Sequence, residues 1–210
     1  MVLGSVVRNI HPEGFITTFP KKHIVLRPGE HFVSDERVVI STLLGSCVAA
    51  CLWDQERGIV GMNHFLLANR RYARDMRLCL TEAGKYGIHA MELVINAMLK
   101  RGARRENLRA KAFGGASVLN LRPRDNFHCV GEVNSRFILE FLKTDGIPLV
   151  ASDLGGNAGR VIYFSSDDFS VYVRKVGKTG AQRVVRKEKG FWRRSIEQAG
   201  LNVPEPEIWT

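Results

Sequence analysis

A thiol and an imidazole stand seventeen residues apart in this chain, Cys47 in Ser41-Thr42-Leu43-Leu44-Gly45-Ser46-Cys47 and His64 in Gly61-Met62-Asn63-His64-Phe65. A free thiol is mostly protonated at neutral pH, but beside an imidazole it can give up its proton and attack an acyl or amide carbon. Most lone cysteines and histidines are simply packed, and it is the turn before Cys47 that favours chemistry here. Gly45 can take backbone conformations closed to other residues and Ser46 is small, so sulfur and a backbone N–H can point the same way. Such a turn supplies a nucleophile and an oxyanion donor together.

The elements that must position this pair can be read from pattern. Residues 38–44 and 48–53 are short apolar, β-branched runs, which places Cys47 between two extended segments or at the start of a helix. The polar turn 54–58 ends in Gly58, and 59–67 returns as a strand carrying His64, which predicts a hairpin that brings His64 back toward Cys47. Asn63 is a second group that could orient the imidazole, but strand alternation sends it to the opposite face. Ala90, Met91, Val94, Ile95, Met98 and Leu99 recur at helical spacing up to Gly102, which predicts a core-facing helix whose methionines are packing. Residues 109–113 read as a strand entering Gly114-Gly115-Ala116, where missing side chains permit close approach. No Lys and Ser/Thr follow as a phosphate loop requires. A second amphipathic helix over 133–143 ends at Gly146, followed by a strand at 148–153, a turn at 153–157 and a hairpin from 161–164 and 171–173. By pattern alone this is a mixed α and β chain with helices on one face of a sheet.

Five separated motifs carry a resemblance. Leu44-Gly45-Ser46-Cys47-Val48-Ala49, Gly61-Met62-Asn63-His64-Phe65, Phe113-Gly114-Gly115-Ala116, Gly131-Glu132-Val133-Asn134 and Asp153-Leu154-Gly155-Gly156-Asn157 occur in the order found in the CheD family, the bacterial chemoreceptor glutamine deamidases. The chain resembles that family over roughly 25–176. The resemblance implies an α/β fold, a single-domain three-layer α/β/β sandwich similar to the catalytic domains of deamidating toxins. It implies Cys47 as nucleophile, His64 as base and a hydroxyl shortly before the cysteine as third group. Thr42 matches that hydroxyl in residue type, Ser41 in the longer spacing some members show. The fourth motif departs from the family, which usually has Arg-Asn where this chain has Val133-Asn134. The implied substrates are glutamines of methyl-accepting chemotaxis proteins, hydrolysed through a thioester, with minor glutamate methylesterase activity, no cofactor, and the phosphatase CheC as a candidate partner.

Composition sets the outer bounds. At 210 residues and 45% hydrophobic the chain suits one domain: an N-terminal arm over 1–20, the CheD-like domain over 21–176 and a basic tail over 177–210 with room for a short helix. The cysteines at 47, 51, 79 and 129 have no regular disulfide spacing, and no leader or run near the roughly 18 apolar residues of a membrane span occurs, so a reduced, cytoplasmic protein without stable membrane insertion is expected. Cys47 and Cys51 find no second close pair among the six histidines, so no metal site is expected. Residues 174–194 hold nine Lys/Arg against Glu188, which is +8 of the net +10. The remaining chain is near neutral, and Phe191 and Trp192 are too few aromatics for a stacking platform, which counts against nucleic acid as a partner. A CheD-fold regulatory module with little catalysis is the alternative reading, and an intact Cys47-His64 pair weighs against it.

Overall fold

The computed structural model describes residues 7–9, 22–67, 82–117, 128–177 and 190. The first sheet has the order β1-β10-β9-β4-β2, formed by β1 (Val7–Asn9), β2 (Lys22–Val25), β4 (Val38–Leu44), β9 (Arg160–Ser165) and β10 (Val171–Lys175). The second has the order β3-β6-β5-β7-β8, formed by β3 (His31–Ser34), β5 (Val48–Asp54), β6 (Ile59–Asn63), β7 (Leu108–Gly114) and β8 (Leu149–Leu154). Helices α1 (Glu82–Lys100) and α2 (His128–Thr144) complete the fold. Both sheets are mixed: β1 with β10, β2 with β4 and β7 with β8 run parallel, the other pairs antiparallel.

Strand alternation sorts the apolar residues into two cores. Ala50 and Leu52 of β5 and Ala110 and Ala112 of β7 meet Met91, Val94, Ile95 and Met98 of α1 and Phe137, Ile138 and Phe141 of α2. Their alternates, Ala49, Cys51, Trp53 and Phe113, meet Val38, Ile40, Leu44, Ile162 and Phe164 of the other sheet. Helices, second sheet and first sheet are therefore three layers, α/β/β. Both helices stop where glycine permits a left-handed residue. Gly102 (φ 99°) and Gly146 (φ 70°) are each followed by an N–H bonded five residues back, Ala103 to Met98 at 3.1 Å and Ile147 to Leu142 at 2.9 Å.

The expected hairpin forms, with Cys51 opposite Met62 and Asp54 opposite Ile59. Strands β2 and β3 carry no clear period in the sequence, and each is an edge held by one neighbour. Val7–Asn9, inside the segment read as an arm, is also an edge strand, beside β10. The rest of 1–20, the tail beyond Gly177 except Gly190, and the side chains of Cys79 and Cys129 lie outside the described residues. Among the described residues no helix is long and apolar enough to cross a membrane.

Between β4 and β5 the chain leaves one sheet for the other, and the turn at 45–47 makes that crossing. The helices above it approach closely. A Cβ on Gly87 of α1 would lie 2.5 Å from Phe137 Cζ of α2 and 2.8 Å from Leu67 Cδ2. Gly87→Ala is expected to overpack this contact and destabilise the fold by about 1–3 kcal/mol. Urea unfolding measures it, and unchanged stability would mean that α1 shifts at no cost.

Candidate active site

Cys47, His64 and Thr42 converge in the layer between the sheets, exposed by 0%, 1% and 2%, so bulk water is excluded from the group. Val48 and Phe65 exchange both backbone hydrogen bonds, Val48 N–H to Phe65 O at 3.0 Å and Phe65 N–H to Val48 O at 2.9 Å. This continues the β5–β6 register, placing His64 opposite Ala49 and diagonal to Cys47 on one face. Diagonal neighbours are about 7–8 Å apart at the backbone, within reach of long side chains.

Thr42 approaches from the opposite sheet. It lies on the inward face of β4 with Ile40 and Leu44, and its Oγ1 is 2.7 Å from His64 Nδ1 and 2.9 Å from the Leu26 carbonyl oxygen. A threonine hydroxyl has one proton, and a carbonyl can only accept. Both contacts are satisfied together when Oγ1 donates to Leu26 O and accepts from Nδ1–H. That tautomer carries its proton on Nδ1 and a lone pair on Nε2, the form a general base needs. Ser41, one residue earlier, faces outward, its Oγ 2.8 Å from His23 Nε2. Asn63 faces the helices, accepting from Ala50 N–H at 3.0 Å and donating to Ala90 O at 3.1 Å.

Several supporting groups have a sequence signal whose role is not evident from spacing. Arg27-Pro28-Gly29-Glu30 is a tight turn with Gly29 at φ 88°, closed by Glu30 N–H to Arg27 O at 3.1 Å. It clamps the His64 backbone on both sides, accepting from His64 N–H through Glu30 O at 2.9 Å and donating Gly29 N–H to His64 O at 2.7 Å. A Pro-Gly pair is a turn signal in sequence, but it carries no sign of the partner the turn will hold. Gly115 N–H donates to Cys47 O and Ala116 N–H to Gly45 O, both at 2.7 Å. Gly114 sits at φ 115°, where a Cβ would lie 2.1 Å from Cys47 O. Buried Asn134 of α2 donates from Nδ2 to Ser46 O at 2.8 Å and accepts Leu67 N–H at 2.7 Å. The turn at 153–157 docks on 114–117 through Gly155 N–H to Gly114 O and Ser117 N–H to Gly156 O, and buried Arg160 holds that turn by Asp153 and the Gly155 carbonyl.

A cavity of about 40 Å³ lies beside His64, lined also by Phe65, Glu30 and, from α1, Tyr86 and Leu93. Burial, and then the nearby Cys47, raise the Tyr86 phenol above its usual range. Cys51, in the same layer, is pushed far up by burial, with Lys111 opposing only in part. Among the described residues no group of three or more His, Cys, Asp or Glu is disposed to hold a metal ion.

A family profile described as CheD chemotactic sensory transduction matches residues 67–175. A Geobacter sulfurreducens protein named probable chemoreceptor glutamine deamidase CheD 1 is 54% identical over 190 residues, 90% of this chain and 94% of that protein. A Shewanella oneidensis protein named probable chemoreceptor glutamine deamidase CheD 2 is 50% identical over 71% of this chain and 74% of its own length. A Ralstonia nicotianae protein of the same description is 42% identical over 79% of this chain and 68% of its own. A solved structure titled Bacillus licheniformis hypothetical protein YfiH shares 16% identity over 59% of this chain and 49% of its own, at a TM-score of 0.35. The chain is a single-domain α/β protein and belongs to the CheD family.

The two hydroxyls make opposed forecasts. Thr42→Ala should cost turnover on the order of 10²-fold, the scale of a misplaced catalytic group, with Thr42→Ser restoring much of it. Ser41→Ala should turn over near the wild-type rate. Steady-state assay of ammonia release compares the three, and equal loss in both alanine variants would detach the imidazole's orientation from Thr42.

Proposed function

We propose that this chain is a chemoreceptor glutamine deamidase, a hydrolase that converts glutamine side chains of methyl-accepting chemotaxis proteins to glutamate. The substrate class comes from its relatives' names, probable chemoreceptor glutamine deamidases. The single observation carrying the chemistry is the Thr42–His64 contact, which supports an unprotonated Nε2 on the face shared with Cys47.

Nε2 takes the Cys47 proton and the thiolate attacks the amide carbon, while backbone N–H groups at the nucleophile turn hold the oxyanion. The imidazolium then gives its proton to the departing nitrogen, ammonia leaves, and a thioester joins Cys47 to the glutamyl group. Water, deprotonated by the again neutral imidazole, adds to the thioester carbon. The sulfur departs with that proton returned through His64, leaving glutamate and the resting thiol. Burial serves the first half of the cycle, since a dry site strengthens each interaction with developing charge. A glutamate methyl ester presents the same carbon with methanol as leaving group, so slower methylesterase activity belongs to the same reading.

Cys47→Ala is expected to abolish Gln-to-Glu conversion in a purified receptor cytoplasmic fragment while the protein stays folded. Peptide mass spectrometry reads each converted residue directly, and wild-type conversion by the alanine protein removes Cys47 from the mechanism. His64→Ala should lose on the order of 10²-fold or more, because proton removal and leaving-group protonation fail together.

A further inference from the structure

The Asn134 side chain hydrogen-bonds the backbone near both members of the proposed catalytic pair. Its carboxamide is 0% exposed; Nδ2 donates to Ser46 O at 2.8 Å, next to Cys47, and Oδ1 accepts Leu67 N–H at 2.7 Å, three residues beyond His64. We propose that Asn134 is a positioning residue, whose carboxamide sets the placement of the nucleophile turn against the end of the His64 strand and thereby the proton transfer between them. The inference rests on the reading of Cys47 and His64 as a nucleophile and its base.

The chemistry of the two partners selects the residue type. Ser46 offers a carbonyl and needs a donor, whereas Leu67 offers an N–H and needs an acceptor. A carboxamide supplies both at fixed spacing; an ionised carboxylate only accepts, and an apolar side chain leaves two buried backbone groups unsatisfied. The helix bearing Asn134 is itself fixed to the turn. A Cβ on Gly131 would lie 2.4 Å from Gly115 O, and Gly115 N–H donates to Cys47 O at 2.7 Å, so α2 can neither ride up nor carry a larger residue there. Further along, Phe137 packs edge-on against Phe65, ring centroids 5.6 Å apart. Thr42 holds His64 from the first sheet, and from the helical layer Asn134 ties the backbone at Ser46 to that at Leu67.

A merely structural asparagine would change stability without changing how the thiol titrates. Asn134→Leu, close in size and without polar atoms, is compared with wild type, His64→Ala and Phe141→Leu, a core lesion on the same helix whose side chain makes neither hydrogen bond. The readouts are unfolding stability, ultraviolet thiolate absorbance of Cys47 against pH, and kcat and KM on receptor cytoplasmic fragment. Asn134→Leu is expected to move the thiolate titration toward that of His64→Ala and to lower kcat on the order of 10²-fold with KM little changed. Phe141→Leu should lose stability with the wild-type titration. Asn134→Ala removes both hydrogen bonds without adding a charge, and it gives the same readout where the leucine variant does not fold. Wild-type titration and kcat in a folded Asn134 variant overturn the proposal alone. A titration unmoved by His64→Ala removes the underlying pair, and this inference with it.

Discussion

The hydrogen bond between Thr42 Oγ1 and His64 Nδ1 crosses the layer between two sheets, and much of the surrounding structure keeps its 2.7 Å span closed. Stacked sheets lie about 10 Å apart, so only side chains from inward positions can meet in the middle. Register then becomes chemistry. A slip of one residue in β4 would turn Thr42 outward and Ser41 inward, replacing a hydroxyl already committed to Leu26 with one whose partner is His23. The slip is opposed on both sides of β4, by β9, where Thr42 lies opposite Ile162, and by β2, where Val25 lies opposite Ser41. Edge strand β2 thus has a role beyond completing the sheet: the chain leaving it supplies the Leu26 carbonyl that fixes the direction of the threonine proton.

Around the turn at 45–47, the five sequence motifs become one contact network. The glycines are needed for proximity as well as for conformation. At Gly114 a side chain would strike the Cys47 carbonyl, and at Gly115 it would lie 1.9 Å from Ser135 Oγ. Backbone therefore packs on backbone where strand β7, helix α2 and the turn meet. Arg160 closes the back of this assembly beside Leu44, its strand neighbour, and is 2.8 Å from Asp153 Oδ1. Burial lowers its pKa while Asp153 opposes that shift. Such a buried ion pair is weak evidence for net stability. Its position favours a different role, holding the 153–157 turn against 114–117 and so limiting where Gly45 and Cys47 can go.

The sequence showed local order well and long-range order poorly, for physical reasons. The β5–β6 hairpin and both helix ends follow from periodicity and from glycines that terminate their own elements, information contained within a dozen residues. The choice between Ser41 and Thr42 does not, because alternation says only that they face apart; which face meets His64 depends on a sheet assembled from strands over a hundred residues distant, β9 among them. Asn134 was visible as part of a motif, yet its two partners lie 88 and 67 residues earlier in the chain. Strands β2 and β3 escaped because short edge strands carry half-exposed, mixed residues with little alternation to detect.

Cys47 and Cys51 show how differently two thiols of one core can be placed. They stand four residues apart, both fully buried and both in the core between the sheets. Cys51 lies opposite Lys111, but that lysine donates to the Phe169 carbonyl at 2.7 Å and covers the Trp53 ring at 5.2 Å, and burial lowers its own pKa. A cation so engaged does not offset the desolvation of a thiolate, and Cys51 is held in its neutral form. Proximity to positive charge is therefore insufficient in this layer. Cys47 differs in standing where the chain changes sheets, with an imidazole diagonal to it and a hydroxyl from the facing strand directing that ring. In the proposed mechanism that imidazole would take the Cys47 proton within the dry layer, which would move charge between neighbours instead of creating an isolated anion.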